Sequence, residues 1–161
     1  MNLRKGTIDD LEIILDELAL LIENKHEGSN WSKSYPNRNV FLKDIEKGDL
    51  YVLKSNEFIG ITVLNEEEDS NYKSLKWTCS KPLVIHRLFI SYRHKGRGYG
   101  KVMLGEIVNF AKSLGYDSIR LDTNENNILG QKLYEGYSFE KLGYIPLEGK
   151  GGSFIGYELK L

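Results

Sequence analysis

A glycine-rich segment, Lys95–Lys101 (KGRGYGK), lies between an apolar stretch and an amphipathic stretch and limits what this chain can fold into. The preceding residues, Leu83–Ile90, predict a buried strand, and the following residues, Val102–Leu114, repeat apolar side chains at helical spacing. A glycine-rich turn that opens a helix presents unpaired backbone N–H groups and the positive end of the helix dipole to solvent. The segment therefore predicts an anion site, most naturally for the phosphate of a cofactor.

The length and composition of the chain are typical of one globular domain without a strong charge bias. The chain has 161 residues, of which 40% are hydrophobic and 28% are charged, and its formal net charge is −1. This length is enough for one well-buried core, so we expect a single domain over residues 1–161. A net charge near zero gives no general attraction to nucleic acid or to an anionic membrane, and we expect neither as a partner.

The cysteine count and the N-terminal residues bear on the compartment. Cys79 is the single cysteine of the chain and has no partner for an internal disulfide, which favours a reducing compartment. No activating motif surrounds Cys79, so a half-buried structural residue is a better interpretation than a catalytic thiol. Met1–Gly6 lacks the apolar core of a signal peptide, and no apolar run approaches the ~20 residues of a membrane span. We therefore expect a cytoplasmic protein.

Hydrophobic periodicity and turn residues predict a mixture of strands and helices. Thr7 marks the start of the first helix, and Gly48 and Gly115 mark helix ends. A polar loop containing Gly28, Ser29 and Pro36 joins the first two helices, and residues 72–78 form either a loop or a further strand. In chain order we predict strand 2–6, helix 7–24, helix 40–47, strands 50–53, 57–64 and 83–90, helix 102–114, strand 118–122, helix 127–135, and strands 139–145 and 154–159. This β-α-α-β-β-β-α-β-α-β-β order predicts an α/β (α+β) fold in which a mixed sheet lies between helices.

The glycine-rich segment resembles the acetyl-CoA signature of the GCN5-related N-acetyltransferase (GNAT) superfamily, Gln/Arg-x-x-Gly-x-Gly/Ala. Aligned from Lys95 to Gly100, the segment matches both glycine positions and has lysine where the family usually has glutamine or arginine. A second alignment, from Arg93 to Gly98, satisfies the first position instead. We use the alignment from Lys95, because the preceding strand then ends at Ile90, where the family has its apolar residue.

A second block, Asn127–Phe139, resembles the same family, whose pattern there is Asn-x-x-Ala-x-x-Leu-Tyr-Glu-x-x-Gly-Phe. The matching residues are Asn127, Leu133, Tyr134, Glu135 and Phe139. Gly130 replaces the alanine and Ser138 replaces the glycine. Two blocks in the right order, about thirty residues apart, are far more specific than a glycine motif alone. The resemblance implies one GNAT-like domain with a mixed, mostly antiparallel sheet of about six or seven strands, a splay between strands 4 and 5, and about four helices.

The resemblance also implies that the chain binds acetyl-CoA. Backbone N–H groups of Arg97–Lys101 can surround the pyrophosphate, where glycine permits close approach. The peptide-like pantetheine arm can pair with the strand edge that the splay exposes. Asn127 contacts the pantetheine region in the family, or it caps its helix, and the two roles are compatible. The implied cofactor-binding residues are Leu88, Phe89, Ile90, Lys95, Gly96, Arg97, Gly98, Tyr99, Gly100, Lys101, Asn127 and Tyr134.

Acetyl transfer to an amine needs a proton donor for the departing thiolate and an amine that has lost its proton. The resemblance places Tyr134 beside the thioester sulfur as the general acid. Val84 stands where some relatives have a glutamate base, whereas His86 lies two residues on, on the same strand face, and titrates in the useful range. His86 is therefore a candidate base or a hydrogen-bonded structural residue. The alternatives are a carboxylate of Glu66–Asp69 acting through water and an amine that arrives already deprotonated.

The acceptor is less constrained than the donor. Trp31 and Tyr35 lie in the loop between the first two helices, which varies in this family, and they either line an acceptor pocket or pack beneath the loop. We expect no metal, because His26, His86 and His94 show no ligand spacing.

Together these observations predict an acetyl-CoA-dependent N-acetyltransferase. Its acceptor, a primary amine of a small molecule or peptide, attacks the thioester directly in a ternary complex. The alternatives are a protein N-terminal or lysine acetyltransferase and a non-catalytic acyl-CoA-binding regulatory module. A P-loop or dinucleotide site is disfavoured, because no Gly-Lys-Ser/Thr follows the loop and no βαβ repeat surrounds it. We expect a monomer or a homodimer.

Overall fold

The computed structural model of the chain describes residues 1–24, 30–146 and 152–161. Three residues used in the sequence analysis, His26, Gly28 and Ser29, lie outside this part. The strands are β1 (Asn2–Lys5), β2 (Leu50–Lys54), β3 (Phe58–Asn65), β4 (Pro82–Ile90), β5 (Ser118–Asn124), β6 (Glu140–Pro146) and β7 (Ser153–Lys160). The helices are α1 (Leu11–Glu23), α2 (Arg38–Lys47), α3 (Tyr99–Ser113) and α4 (Ile128–Gly136). The predicted order of strands and helices is confirmed.

Some boundaries differ from the prediction, for local reasons. Helix α2 begins earlier than predicted, because the side chain of Asn37 accepts a hydrogen bond from the N–H of Val40 and caps the helix there. Helix α3 also begins earlier, at Tyr99, directly after the glycine-rich turn. The stretch predicted as loop or strand at 72–78 contains no strand. Its first residues belong to a short 3₁₀ helix, Ser70–Ser74, which the side chain of Asp69 caps.

The strands form a seven-stranded mixed sheet in the order β1-β2-β3-β4-β5-β7-β6. The pairs β1–β2, β2–β3, β5–β7 and β6–β7 are antiparallel, whereas β4 and β5 are parallel. The parallel pairing begins at Pro82 and Ser118 and ends at Val84 and Arg120, although both strands continue beyond that point. This is the splay between strands 4 and 5 that the resemblance implied, in a mostly antiparallel sheet.

The chain divides into two compact units, and β4 and α3 contribute residues to both. The first unit comprises Met1–His26, Trp31–Leu64 and Arg87–Glu106. The second comprises Glu27–Asn30, Asn65–His86 and Ile107–Leu161.

In the first unit, the apolar stripe of α1 packs with α2 and the inner strands. The buried cluster consists of Leu11, Ile14, Leu18, Phe41, Leu50, Val52, Ile61, Val63 and Phe89. Full burial of each such side chain stabilises the fold by about 1.5–3 kcal/mol. Thr7 and Asp10 form a capping box at the start of the α1 region, as the hydroxyl residue predicted, and Gly48 ends α2 in the left-handed conformation.

In the second unit, the segment that joins β3 to β4 packs on β6 and β7. Gly143 and Gly156 are paired across these strands, and Leu75 fills the depression that they leave. A Cβ atom on Gly156 would clash with the Leu75 side chain. The buried carboxylate of Glu158 accepts hydrogen bonds from both the N–H and the hydroxyl of Thr78. The joining segment is therefore fixed by apolar and charged contacts.

The described helices include none that is long and apolar enough to cross a lipid bilayer.

Candidate functional site

The glycine-rich turn lies in the first unit, between a 3₁₀ helix at Tyr92–His94 and the start of α3. Gly96 has φ 75° and Gly98 has φ 82°, a region that side-chain-bearing residues rarely adopt. A Cβ atom on either glycine would meet nothing within 4 Å among the described residues. The backbone conformation, and not steric crowding, is therefore the reason for glycine here. The turn is open to solvent.

Backbone donors at the start of α3 are available to a ligand. The N–H of Arg97 donates to the carbonyl of His94, and the N–H of Lys101 donates to the carbonyl of Gly98. Within the described residues, the N–H groups of Gly98, Tyr99 and Gly100 make no such hydrogen bond. Of the backbone N–H groups predicted from the sequence to bind an anion, those of Arg97–Lys101, these three are candidates. They lie at the positive end of a fifteen-residue helix. The side chains of Lys95, Arg97 and Lys101 are exposed around it.

Arg93 has a structural partner, which bears on the alignment of the motif. Its Nε donates to the buried carboxylate of Glu17 in α1 at 3.0 Å, and the hydroxyl of Ser91 donates to the same carboxylate. Lys95 is exposed, with its Nζ 5.8 Å from the centre of the Tyr92 ring. These contacts favour Lys95 for the first position of the motif and assign Arg93 to anchoring the turn.

The candidate acceptor residues both contact β4 in the first unit. The Trp31 ring packs edge-on against Phe89, with 6.1 Å between the ring centres. The hydroxyl of Tyr35 accepts a hydrogen bond from Arg87 Nη1 at 3.1 Å. Arg87 in turn donates through Nε and Nη2 to the buried carboxylate of Asp44, at 2.8 and 2.6 Å. Arg87 and Asp44 were not among the site residues predicted from the sequence. The arginine within an otherwise apolar strand was the signal for them, since a half-buried guanidinium needs an acidic partner.

Tyr134 lies in the second unit, buried in α4 between Phe139 and Tyr157, with ring centres 5.8 and 5.9 Å away. Burial, reinforced by the negative charge of Asp122, raises the pKa of Tyr134 to about 12. The phenol therefore keeps its proton at neutral pH. Within the described part of the chain, no hydrogen bond occupies its hydroxyl, so the proton is available to a bound substrate.

Asn127 caps α4, one of the two roles considered for it. Its Oδ1 accepts a hydrogen bond from the N–H of Gly130 at 3.1 Å, and its Nδ2 donates to Thr123 Oγ1 at 3.0 Å. A Cβ atom on Gly130 would lie 2.5 Å from Asn127 Nδ2, so an alanine here requires the Asn127 side chain to shift. Ser138, which replaces the family's glycine, has φ 69° in the left-handed region.

His86 forms a hydrogen bond with Asn65. Its Nε2 lies 2.6 Å from Asn65 Oδ1, which also accepts the N–H of Glu67 at 2.9 Å. Because an amide oxygen only accepts, Nε2 of His86 is the donor in this contact. His86 is thus hydrogen-bonded, as its structural role predicted, and its role as base stays a prediction.

In the acidic stretch Glu66–Asp69, the first three residues are exposed, and at least two of them make side-chain contacts. Glu66 accepts a hydrogen bond from the Tyr116 hydroxyl, and Glu68 pairs with the buried Arg120 at 2.7 Å. The described residues contain no group of three His, Cys, Asp or Glu side chains that could hold a metal ion.

One pair that the sequence analysis missed lies near Tyr134. The buried hydroxyl of Tyr72 donates to Asp122 Oδ2 on β5. Fifty residues separate the two along the chain, so no local pattern indicated that they meet.

The fold and these features define a class of protein. A glycine turn with open N–H donors before a helix, in a sheet whose parallel strands part, is the arrangement expected for acyl-CoA-dependent N-acetyltransferases. The model of the acetyltransferase (GNAT) family matches residues 16–139, and the chain belongs to this family. Acetyl-CoA is the donor that this family uses.

The relatives are consistent with that membership. Rat N-acetyltransferase 8B is 34% identical over 67 residues, which cover 41% of this chain and 30% of that protein. The chain thus spans less than a third of the length of the curated relatives that it matches first. Spermine/spermidine N(1)-acetyltransferase from Bacillus subtilis is 23% identical over 149 residues, which cover 88% of this chain and 93% of that protein.

Solved structures share the fold. An acetyltransferase of the GNAT family from Streptococcus agalactiae superposes with a TM-score of 0.81 at 20% identity, over 99% of this chain and 95% of that one. The protein yncA from Salmonella typhimurium, solved with its cofactor acetyl-CoA, gives a TM-score of 0.71 at 14% identity, over 99% and 93% of the two chains.

Proposed function

We propose that this protein transfers the acetyl group of acetyl-CoA to a primary amine of a small molecule or peptide, by direct attack within a ternary complex. The observation that carries the proposal is the turn before α3. Three backbone N–H donors that have no partner among the described residues, at the positive end of a helix, suit the pyrophosphate of coenzyme A. The exposed side chains of Lys95, Arg97 and Lys101 add positive charge around them.

The end of β4 is proposed to hold the pantetheine arm. Its parallel pairing with β5 stops at Val84, and the backbone of Leu88–Ile90 follows. An amide chain pairs with an open strand edge through backbone hydrogen bonds, so the side chains there need only pack. Phe89 does so within the core of the first unit.

Tyr134 is proposed as the general acid. The amine nitrogen attacks the thioester carbonyl carbon, the carbon–sulfur bond breaks, and the phenol gives its proton to the departing thiolate. The raised pKa of Tyr134 keeps that proton in place until the thiolate forms. His86 is the proposed proton acceptor for the amine.

The acceptor is proposed to be a small amine. Of the relatives named above, the Bacillus subtilis spermine/spermidine enzyme matches over most of both chains, which favours polyamines as first candidates. Trp31 and Tyr35 are the proposed acceptor-facing aromatics, with protein N-terminal or lysine acetylation as the alternative. We propose a cytoplasmic protein, because its single cysteine suits a reducing compartment. It acts as a monomer or a homodimer.

The test is release of free thiol from acetyl-CoA in the presence of spermidine, lysine or a peptide with N-terminal alanine. We expect thiol release that depends on one of these amines, and the preferred amine identifies the acceptor class. Acetyl-CoA alone should raise the melting temperature at concentrations well above its Kd. Stabilisation without turnover for any amine would overturn the proposed transfer and support the non-catalytic module. Absence of both stabilisation and turnover would also overturn the binding of acetyl-CoA.

A further inference from the structure

Asp122 lies on the part of β5 that the splay leaves open. Pairing with β4 ends at Arg120, two residues earlier, whereas pairing with β7 on the other edge continues through Asp122 to Asn124. The β5 strand is therefore held rigidly from one side while its other edge faces the gap. A side chain here is fixed in position yet half-exposed.

The joining segment supplies a tyrosine that holds this carboxylate. The hydroxyl of Tyr72 donates to Asp122 Oδ2, and Tyr72 is 2% exposed. Trp77 supports Tyr72 twice, by ring stacking at 5.2 Å and by donating its Nε1 hydrogen to the Tyr72 carbonyl at 2.7 Å. A side chain packed in this way keeps one geometry, so the carboxylate that it contacts is oriented as well.

His86 lies on β4 at the position that corresponds to Asp122 on β5. The last parallel pair is Val84 with Arg120, and two further residues on each strand give His86 and Asp122. Because side chains alternate along a strand, both lie on the face that carries Val84 and Arg120. The splay thus has an imidazole on one strand and a carboxylate on the other.

The charge of Asp122 also reaches the proposed general acid. Burial is the main reason why the pKa of Tyr134 and the pKa of Tyr72 are raised, and the negative charge of Asp122 raises both further. The carboxylate of Asp122 and the phenol of Tyr134, both in the second unit, therefore interact electrostatically.

We propose that Asp122 binds the amino group of the acceptor, and that Tyr72 is a positioning residue that holds the Asp122 carboxylate for it. This inference rests on the proposed function. A primary amine is an ammonium ion at neutral pH, and a half-buried carboxylate is its natural partner. Hydrogen bonds from the amine to Asp122 orient its nitrogen at the level of His86, the proposed proton acceptor.

The experiment compares Asp122→Asn, Tyr72→Phe and Tyr116→Phe with the wild type, using whichever of spermidine, lysine and the alanine peptide gives the fastest wild-type turnover. Tyr116 is a matched control, because its hydroxyl also donates to a carboxylate fifty residues away in the same unit, that of Glu66. We expect the acceptor KM of Asp122→Asn to rise about tenfold or more, with the acetyl-CoA KM within twofold. Tyr72→Phe should shift the acceptor KM in the same direction by less, and Tyr116→Phe should not.

A second readout separates charge from structure. Hydroxylamine is neutral at neutral pH, so Asp122→Asn should impair its acetylation less than that of the cationic amine. Equal losses for both nucleophiles, or an unchanged acceptor KM in Asp122→Asn, overturn the inference while leaving the transferase intact. A wild-type protein that acetylates no amine overturns the proposed function, and this inference with it.

Discussion

Glu17 and Arg93 join α1 to the turn that precedes α3. Arg93 Nε lies 3.0 Å from Glu17 Oε1, and the carboxylate is almost fully buried, with 6% of its side chain exposed. Ser91 donates to the same carboxylate. The glycine-rich turn is therefore anchored by an almost fully buried carboxylate on α1, a helix far away in sequence.

The first prediction concerns this anchor. Glu17→Gln replaces a charge-assisted acceptor with a weaker one, which should cost about 1–2 kcal/mol of unfolding free energy. For a chain of this size that lowers the melting temperature by about 3–6 °C. Because the turn loosens, the acetyl-CoA KM should rise about threefold to tenfold. Calorimetry and initial rates measure both effects.

Glu12→Gln is the control for this prediction, since Glu12 on α1 forms an exposed ion pair with Arg38 on α2. Its melting temperature and acetyl-CoA KM should stay at the wild-type values. Equal effects of the two substitutions would contradict the anchoring role of Glu17.

The second prediction concerns Gly98 at φ 82°. Gly98→Ala places a Cβ in open space but forces an alanine into the left-handed region, at a cost of about 1–2 kcal/mol. The turn is expected to relax and tilt the N–H donors of α3, so that acetyl-CoA binds about tenfold more weakly in calorimetric titration. Gly136→Ala also meets open space, at a residue without positive φ, and should leave the affinity unchanged. An unchanged affinity of Gly98→Ala for acetyl-CoA would contradict the proposed binding of the pyrophosphate at this turn.

The third prediction concerns Tyr134. Tyr134→Phe removes the proton donor and keeps the ring, so kcat should fall about 100-fold while the Kd for coenzyme A changes less than twofold. A phenol acts as an acid only while it is protonated, and a raised pKa extends that range upward. With the pKa of Tyr134 at about 12, its ionisation should not limit kcat below about pH 11. An alkaline limb near pH 9 that disappears in Tyr134→Phe would be inconsistent with this role.

The fourth prediction concerns the two departures from the family pattern. Gly130→Ala should displace the Asn127 side chain that caps α4 and lower the unfolding free energy by about 1 kcal/mol. Ser138→Gly should raise it by up to about 1 kcal/mol, because φ 69° suits glycine. Urea titration of both variants measures the difference. A Gly130→Ala protein as stable as the wild type would show that the cap adjusts without loss.

Much of the fold was predictable because its signals are local. The period of the apolar residues in α1, the glycine that ends α2 and the glycine turn before α3 each act within a few residues, and each predicted element exists. The two family blocks also predicted the splay between β4 and β5, since they identify a topology that periodicity alone does not.

The candidate site was predictable only in part. Gly98 and Tyr134 stood out from motifs, but the choice between Lys95 and Arg93 required the contact of Arg93 with Glu17, 76 residues away. The acidic stretch Glu66–Asp69 is largely exposed, and its contacts with Arg120 and Tyr116 were not predictable from the sequence. Such pairings depend on distances in space, which one sequence does not contain.

The sequence by itself determined the family and the order of strands and helices, because these follow from motifs and periodicities within short windows of the chain. Only the tertiary structure decided that Gly98, Tyr99 and Gly100 keep their N–H groups open, and that Tyr72 meets Asp122 at the splay. The reason is physical: hydrogen bonding and burial depend on which groups meet after folding. Packing of the folded chain determines which residues that are far apart in sequence come into contact.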